Sequence, residues 1–265
     1  MKAIICDIDG VVLRDNRPLP GASELLRWLA VSGMPYLFLT NYPSQTPAEL
    51  SERFRLNGID GAVPPRHFYT SAIATAEFLN EQAGERRKAF VVGEGALVHA
   101  LYEAGFTLTS SEADYVVLGE TRSFGFDMIR TASSLIRRGA RFVATNPDVA
   151  GPEGRPSCGA FAAPIERITG KRPFYVGKPN ALMMRAALRY MQAHSEDTLM
   201  VGDNMDTDII AGINSGMETV LVLSGVSRAE DLPRYAYKPH HVAADAHALI
   251  ALLDRLRGQP GPAPL

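Results

Sequence analysis

The sequence predicts an α/β protein built on parallel strands covered by helices, and three observations carry that prediction. Short apolar runs alternate with helical stretches along the whole chain. Most of these runs are apolar on both faces, as in strands with helices on either side. Four of them end in a reactive polar residue, at Asp7, Thr40, Lys178 and Asp203. Ligands of open parallel sheets bind beyond the carboxyl ends of the strands.

In chain order, the strand candidates are Ala3–Cys6, Tyr36–Leu39, Ala89–Val92, Tyr115–Leu118, Phe142–Ala144, Phe174–Val176, Leu199–Val201 and Val220–Leu223. Helical patterns lie between them, near Ala22–Val31, Thr46–Asn57, Ala72–Gln82, Ala96–Ala104, Phe126–Arg138, Ala181–Ala193 and Thr207–Ser215. The second has the clearest start and stop signals. Thr46 suits the N-cap, Pro47 the first turn, Glu49 the capping-box position and Gly58 the left-handed C-terminal position. Such alternation implies right-handed parallel units in a doubly wound sheet. The polar stretch NEQAGERRK at 80–88 is a candidate domain crossing. The Gly/Pro-rich loop NPDVAGPEGRPSCG at 146–159 is long enough to suggest a functional role. The tail RGQPGPAPL from Arg257 is expected to fray.

Composition narrows the function classes. The 265 residues are 46% hydrophobic and carry a formal net charge of -2, so nothing draws the chain toward a nucleic acid polymer or an anionic membrane. Two cysteines, Cys6 and Cys158, form no CxxC pair and fit a reducing compartment. The N-terminal apolar run is too short for a signal segment, and no run approaches the roughly 20 residues of a membrane span. A cytoplasmic protein is the expectation. Monomer and homo-oligomer stay equally open.

The four strand-end groups suggest one chemistry. Asp7 and Asp9 are two residues apart, and Asp203 lies in VGDNMDTDI with Asp208 five residues on. Clustered carboxylates raise one another's pKa values unless a cation compensates. Ligands that are all oxygen, with room for water and a phosphate, describe a Mg²⁺ site rather than a zinc site. Thr40 and Asn41 offer a hydroxyl and an amide to phosphate oxygens, and Lys178 a point charge. A carboxylate nucleophile in that setting can form an aspartyl phosphate, and a second acid can protonate the leaving alcohol and activate water. Asp7 suits the first role and Asp9 the second. Each group also has a bland reading: Thr40 and Asn41 cap turns well, and Asp208 suits an exposed first helical turn. Asn146 and Asp148 fit a turn and a substrate contact equally. None of the six histidines has metal-ligand spacing, and GEG at 93–95 is a strand-to-helix turn rather than a dinucleotide fingerprint.

Taken together, DIDGV at 7–11, LTN at 39–41, GKP at 177–179 and GDNMDTDI at 202–209 resemble the four ordered motifs of the haloacid dehalogenase-type phosphatases. TNYPSQT, VVGEGAL, GETRSF, ATNPD, RPFYVGKP and LVLSGVS extend the likeness to about Ser227 and point to the nucleotide-monophosphatase branch of class IIA. The resemblance implies a Rossmann-like core, residues 1–82 and 175–265, with an inserted α/β C2-type cap at 83–174 that sets substrate specificity. It implies that Asp7 is nucleophile and Mg²⁺ ligand, and that Asp9 is general acid/base and a ligand through its carbonyl. Asp203 is then the third metal ligand and Asp208 a supporting residue, with Thr40, Asn41, Lys178 and Asn204 at the phosphate. Asp206 departs from the pattern, where a basic or glutamate residue is expected.

The implied activity is Mg²⁺-dependent hydrolysis of small phosphate monoesters, foremost the nucleoside 5'-monophosphates UMP, GMP, AMP and CMP. Sugar phosphates, N-acetylglucosamine 6-phosphate, pyridoxal phosphate and 4-nitrophenyl phosphate are alternatives. A receiver-like signalling domain also combines clustered Asp, Thr and Lys on a doubly wound sheet, but it needs neither a general acid nor a ninety-residue insertion. A dehalogenase needs neither Asp9 nor Mg²⁺.

Overall fold

The computed structural model describes residues 3–59, 63–151 and 154–258. In chain order the strands and helices are β1 (Ala3–Cys6), β2 (Leu13–Arg14), β3 (Arg17–Pro18), α1 (Ala22–Ser32), β4 (Tyr36–Thr40), α2 (Pro47–Leu56), β5 (Phe68–Thr70) and α3 (Ser71–Ala83). Next come β6 (Lys88–Val92), α4 (Gly95–Glu103), β7 (Thr107–Leu108), β8 (Tyr115–Leu118), α5 (Phe126–Arg137), β9 (Arg141–Ala144), α6 (Cys158–Thr169) and β10 (Phe174–Tyr175). The chain continues through α7 (Ala181–Met191), β11 (Thr198–Gly202), a π-helical turn at Met205–Ile209, α8 (Ile210–Asn214), β12 (Glu218–Val222), β13 (His241–Ala243) and α9 (Ala246–Gly258). The chain divides into two compact units. Among the described residues, one holds those up to Leu39, those within 48–68 and those from Met184 on; the other holds Thr40–Pro47 and those within 69–183.

The first unit is built on a six-stranded sheet of order β13-β12-β11-β1-β4-β5. β1 pairs in parallel with β11 and with β4, and β11 with β12. All four residues of β1 and all five of β11 are buried, which is why the sequence shows no alternation there. Against one face pack Leu25, Leu26 and Leu29 of α1 and Leu249, Leu252 and Leu253 of α9. Phe38, Phe54 and Phe68 close that core, with ring centroids 5.0–5.5 Å apart. The second unit carries an all-parallel five-stranded sheet of order β10-β9-β8-β6-β7. Val116 and Leu118 of β8 meet Leu135 and Ile136 of α5 and Ala162 and Ile165 of α6 in its core.

The predicted elements recur with shifts of one or two residues at their ends, and the doubly wound α/β prediction holds. Three differences have physical causes. α6 begins within the segment read as loop, because Gly159 lets the helix lie against the carbonyls of Pro147 and Asp148, where a Cβ would collide. α9 uses an ordinary amphipathic pattern and carries the chain to Gly258, so the first two residues of the supposed tail are helical; the rest of the tail lies outside the described residues. The helix expected from Thr207 starts instead as the π-turn. There the carbonyl of Asn204 accepts from the amides of both Asp208 and Ile209, at 3.0 and 3.2 Å.

Candidate active site

In the first unit, β1 and β11 deliver their aspartates to the same sheet edge. Cys6 stands opposite Val201 in the parallel register, and the Asp7 amide donates to the Val201 carbonyl at 2.8 Å. Asp203 follows Gly202, the last residue of β11. The π-turn then brings back Asp208. Carboxylate oxygens of Asp7, Asp203 and Asp208 all lie within 4.8 Å of one another, with the three residues 9%, 4% and 0% exposed.

Backbone crowding holds this cluster together. Gly10, at φ +84°, and Gly225 both lie so close to the Asp203 carboxylate that a Cβ on either would collide with it, and a Cβ on Gly202 would overlap Asp208. Asp203 Oδ2 accepts the Val226 amide at 2.7 Å, and its carbonyl accepts the Ser227 amide at 3.0 Å. Asp208 Oδ2 accepts the Asn204 amide and the Thr207 hydroxyl, at 3.2 and 3.3 Å. The residues fit a hard divalent cation. Every donor is an oxygen, three acids share one buried space, and three like charges at such separations require compensation.

Asp9 is more open, with its side chain 31% exposed and its Oδ1 3.4 Å from Arg53 Nη2. Arg53 is itself held by Asn16, whose Oδ1 accepts from Nε at 2.7 Å. Sequence reasoning gave Arg53 no role; on α2 it reads as one more solvated helix residue. Asn204 spends its side chain locally, Oδ1 accepting the Asp206 amide at 2.9 Å. Asp206, the departure from the motif, accepts from the Tyr235 hydroxyl at 2.9 Å.

The second unit holds the other motif residues. Thr40 is buried, its hydroxyl oxygen accepting the Tyr42 amide at 3.0 Å. Lys178 is only 2% exposed, and a buried ammonium is retained only among acceptors or opposite charge. The side-chain amide of Asn41, expected to reach a phosphate, is directed at the Lys178 main chain. Its Oδ1 accepts the Lys178 amide at 2.8 Å, and its Nδ2 donates to the Lys178 carbonyl at 2.9 Å and to Asp148 Oδ2 at 2.8 Å. Gly177 makes room for this contact, since a Cβ there would press on Asn41 Oδ1 and on the Thr145 carbonyl. Asp148 Oδ2 also accepts from Asn146 Nδ2 at 2.7 Å, and Asn146 Nδ2 lies 3.3 Å from Ser157 Oγ, which donates to Glu120. The ambiguous loop residues Asn146 and Asp148 are therefore network members rather than idle turn residues.

That network borders a cavity of about 490 Å³ within the second unit, lined by Tyr42, Glu94, Glu120, Arg122, Arg155 and Phe161 among others. Burial holds the Glu120 carboxyl above the usual Glu range. The hydrogen bond from Ser157 opposes that shift, nearby Asp148 adds to it, and Arg155 opposes it. Burial likewise pushes the Cys158 thiol up to about 11, so it stays protonated and inert as a nucleophile.

Fold and site define the class: the chain belongs to the haloacid dehalogenase-like hydrolases. The model of that description matches residues 4–107, and a second model of HAD-hydrolase-like proteins matches residues 175–249. Among individual relatives, the chain is 54% identical to the ribonucleotide monophosphatase NagD of Escherichia coli K12, over 90% of this chain and 94% of that one. It is 46% identical to a dihydroxyacetone phosphatase of Corynebacterium glutamicum, over 90% and 86% of the two chains. The solved structure of NagD from the same E. coli strain superposes with a TM-score of 0.88 at 52% identity, covering 93% of this chain and 97% of that one. A glycerol phosphate phosphatase from Mycobacterium tuberculosis, solved in complex with magnesium, superposes with a TM-score of 0.85 at 28% identity, covering 94% and 76%. No helix among the described residues is long and apolar enough to cross a membrane.

Proposed function

We propose that this chain is a Mg²⁺-dependent phosphomonoesterase that hydrolyses small phosphate monoesters, foremost nucleoside 5'-monophosphates, through a phosphoryl group carried on Asp7. The observation that carries the reading is the buried convergence of Asp7, Asp203 and Asp208 at the carboxyl edge of β1 and β11. Kinship with NagD favours nucleotides, while kinship with the dihydroxyacetone phosphatase keeps smaller phosphates in view.

In this reading a divalent ion held by the carboxylates of Asp7 and Asp203 and the carbonyl of Asp9 would offset repulsion between an anionic nucleophile and an anionic phosphoryl group. An Asp7 carboxylate oxygen attacks phosphorus, and the bond to the ester oxygen breaks. Asp9 gives its proton to the departing alkoxide. The same Asp9, now ionised, takes a proton from water as that water attacks the phosphorus of the aspartyl phosphate, which frees inorganic phosphate and restores Asp7. Asp208 steadies the turn after β11. Thr40 and Lys178 hold phosphate oxygens, with Asn41 and Asn204 completing their surroundings.

The cap assigned to residues 83–174 is supported by the five-stranded sheet, whose first strand begins at Lys88 and whose last ends at Tyr175. A cytoplasmic setting agrees with two buried cysteines that share no disulfide. The test is a phosphate-release screen, with Mg²⁺ present, over the four nucleotides, sugar phosphates, N-acetylglucosamine 6-phosphate, pyridoxal phosphate and 4-nitrophenyl phosphate. Release from 4-nitrophenyl phosphate and from at least one nucleotide is expected; release from none of the panel sinks the reading.

A further inference from the structure

We propose that Asp148 is a positioning residue for Lys178: its carboxylate fixes the orientation of the Asn41 amide, and Asn41 grips the Lys178 main chain. The inference rests on the phosphatase reading above, and it names a role that none of the four motifs contains.

The Asn41 side chain is ambiguous by itself. A side-chain amide can rotate by half a turn and exchange its oxygen for its NH₂ with little change of shape. Only one of the two orientations serves Lys178, because the main chain there presents an N–H and a C=O together. The N–H needs the amide oxygen at 2.8 Å and the C=O needs the NH₂ at 2.9 Å. Asp148 removes the alternative. An ionised carboxylate only accepts, so its Oδ2, 2.8 Å from Asn41 Nδ2, is compatible with the NH₂ on that side and repels the oxygen.

Asp148 is itself held in place. Asn146 Nδ2 donates to the same Oδ2 at 2.7 Å, and Asn146 cannot turn over freely because its own Oδ1 accepts from the Thr145 hydroxyl at 2.7 Å. Asn41, Asp148 and Lys178 are 107 and 137 residues apart in sequence where they meet, so the grip is wholly a product of the fold. What the grip fixes is the root of a long, flexible side chain. A lysine stem has four rotatable bonds, and a displaced root moves its ammonium by a comparable distance. Misplacement by about 1 Å is enough to cost on the order of a hundredfold in a positioned reaction.

Two substitutions separate this role from the others that a half-buried aspartate can fill. Asp148→Asn removes the charge but keeps an oxygen able to accept from both Asn41 and Asn146, and the Asn146 NH₂, held by Thr145, selects the orientation that puts that oxygen there. Asp148→Ala removes charge and acceptor alike. The measurements are calorimetric titration of the Mg²⁺-loaded protein with inorganic phosphate, turnover of 4-nitrophenyl phosphate, and thermal unfolding. Asp148→Ala is expected to weaken phosphate binding by about tenfold or more and to lower kcat, at an unfolding midpoint near that of the parent. Asp148→Asn is expected to restore phosphate affinity to within about threefold, because the acceptor persists. Asn146→Ala, which takes away one of the two donors, should fall between them.

The proposal is overturned if Asp148→Ala binds phosphate as the parent does, or if Asp148→Asn loses as much as Asp148→Ala, which would make charge the operative feature. Should Asp148→Ala not fold, Asp148→Asn and Asn146→Ala carry the test by themselves: a loss above tenfold in the first, or none in the second, overturns it. A parent protein that neither binds phosphate nor turns over 4-nitrophenyl phosphate would instead defeat the functional reading.

Discussion

The aspartate cluster of the first unit and the Asn41–Lys178 network of the second use polar groups in opposite ways. Around Asp7, Asp203 and Asp208, like charges face one another within 4.8 Å, held there by strand register and by glycines that let backbone close in. Around Asn41, donor meets acceptor at each contact, with distances of 2.7–2.9 Å between the amides, the Lys178 main chain and Asp148. The first arrangement gains from a cation. The second is content without one and serves as scaffold. The contrast teaches that crowding of like charge marks where a ligand acts, while donor–acceptor matching marks what holds the machinery in place.

Asp7→Asn is the most severe substitution in the aspartate cluster. Turnover of 4-nitrophenyl phosphate should fall by at least about a thousandfold, because the amide is no nucleophile. The variant should stay folded, read by circular dichroism. Residual activity above one per cent would remove Asp7 from the role of nucleophile.

Next in size is the response to metal. Chelation should abolish turnover, and excess Mg²⁺ should restore it. Mg²⁺ at about a hundred times its dissociation constant should stabilise the parent by about 2.7 kcal/mol, whereas Asp203→Asn should lose most of that gain. Asp148→Asn should keep the gain, because its oxygen belongs to the saturated network and not to the cluster. Equal Mg²⁺ stabilisation in parent and Asp203→Asn, read by scanning calorimetry, would remove Asp203 from the metal site.

How much of this was legible in the sequence follows from the range of each interaction. β1 and β8 have the bounds that their apolar runs suggest, and Asp7 and Asp203 stand at strand ends as their position after those runs implies. These are local signals, set by burial on both strand faces. Asp208 was readable as a candidate, but not the π-turn that swings it back under Gly202, since one extra residue in a turn leaves no compositional trace. Arg53 stayed hidden because its partner is 44 residues away, and Asp148 because a turn explains Asn-Pro-Asp equally well. The direction of the Asn41 amide depends on residues more than a hundred positions distant, which periodicity and spacing do not report.

The smallest effect concerns Glu120, where the two kinds of arrangement meet. Its carboxyl is buried and accepts from Ser157, so it belongs to the matched network, yet burial and the charge of Asp148 keep it above the usual Glu range. An acid whose folded-state value is raised adds stability that is full below its unfolded value and is lost as pH climbs through the folded one. Glu120→Gln keeps an acceptor for Ser157 and has no charge to desolvate. The parent should therefore be at its best relative to Glu120→Gln near pH 4. It should lose ground steadily as pH rises toward 7, in chemical denaturation series run at each pH. A difference that grows in favour of the parent over that range would mean that the Ser157 and Arg155 interactions outweigh burial, and that Glu120 is a charge held by its neighbours rather than an acid made reluctant to ionise.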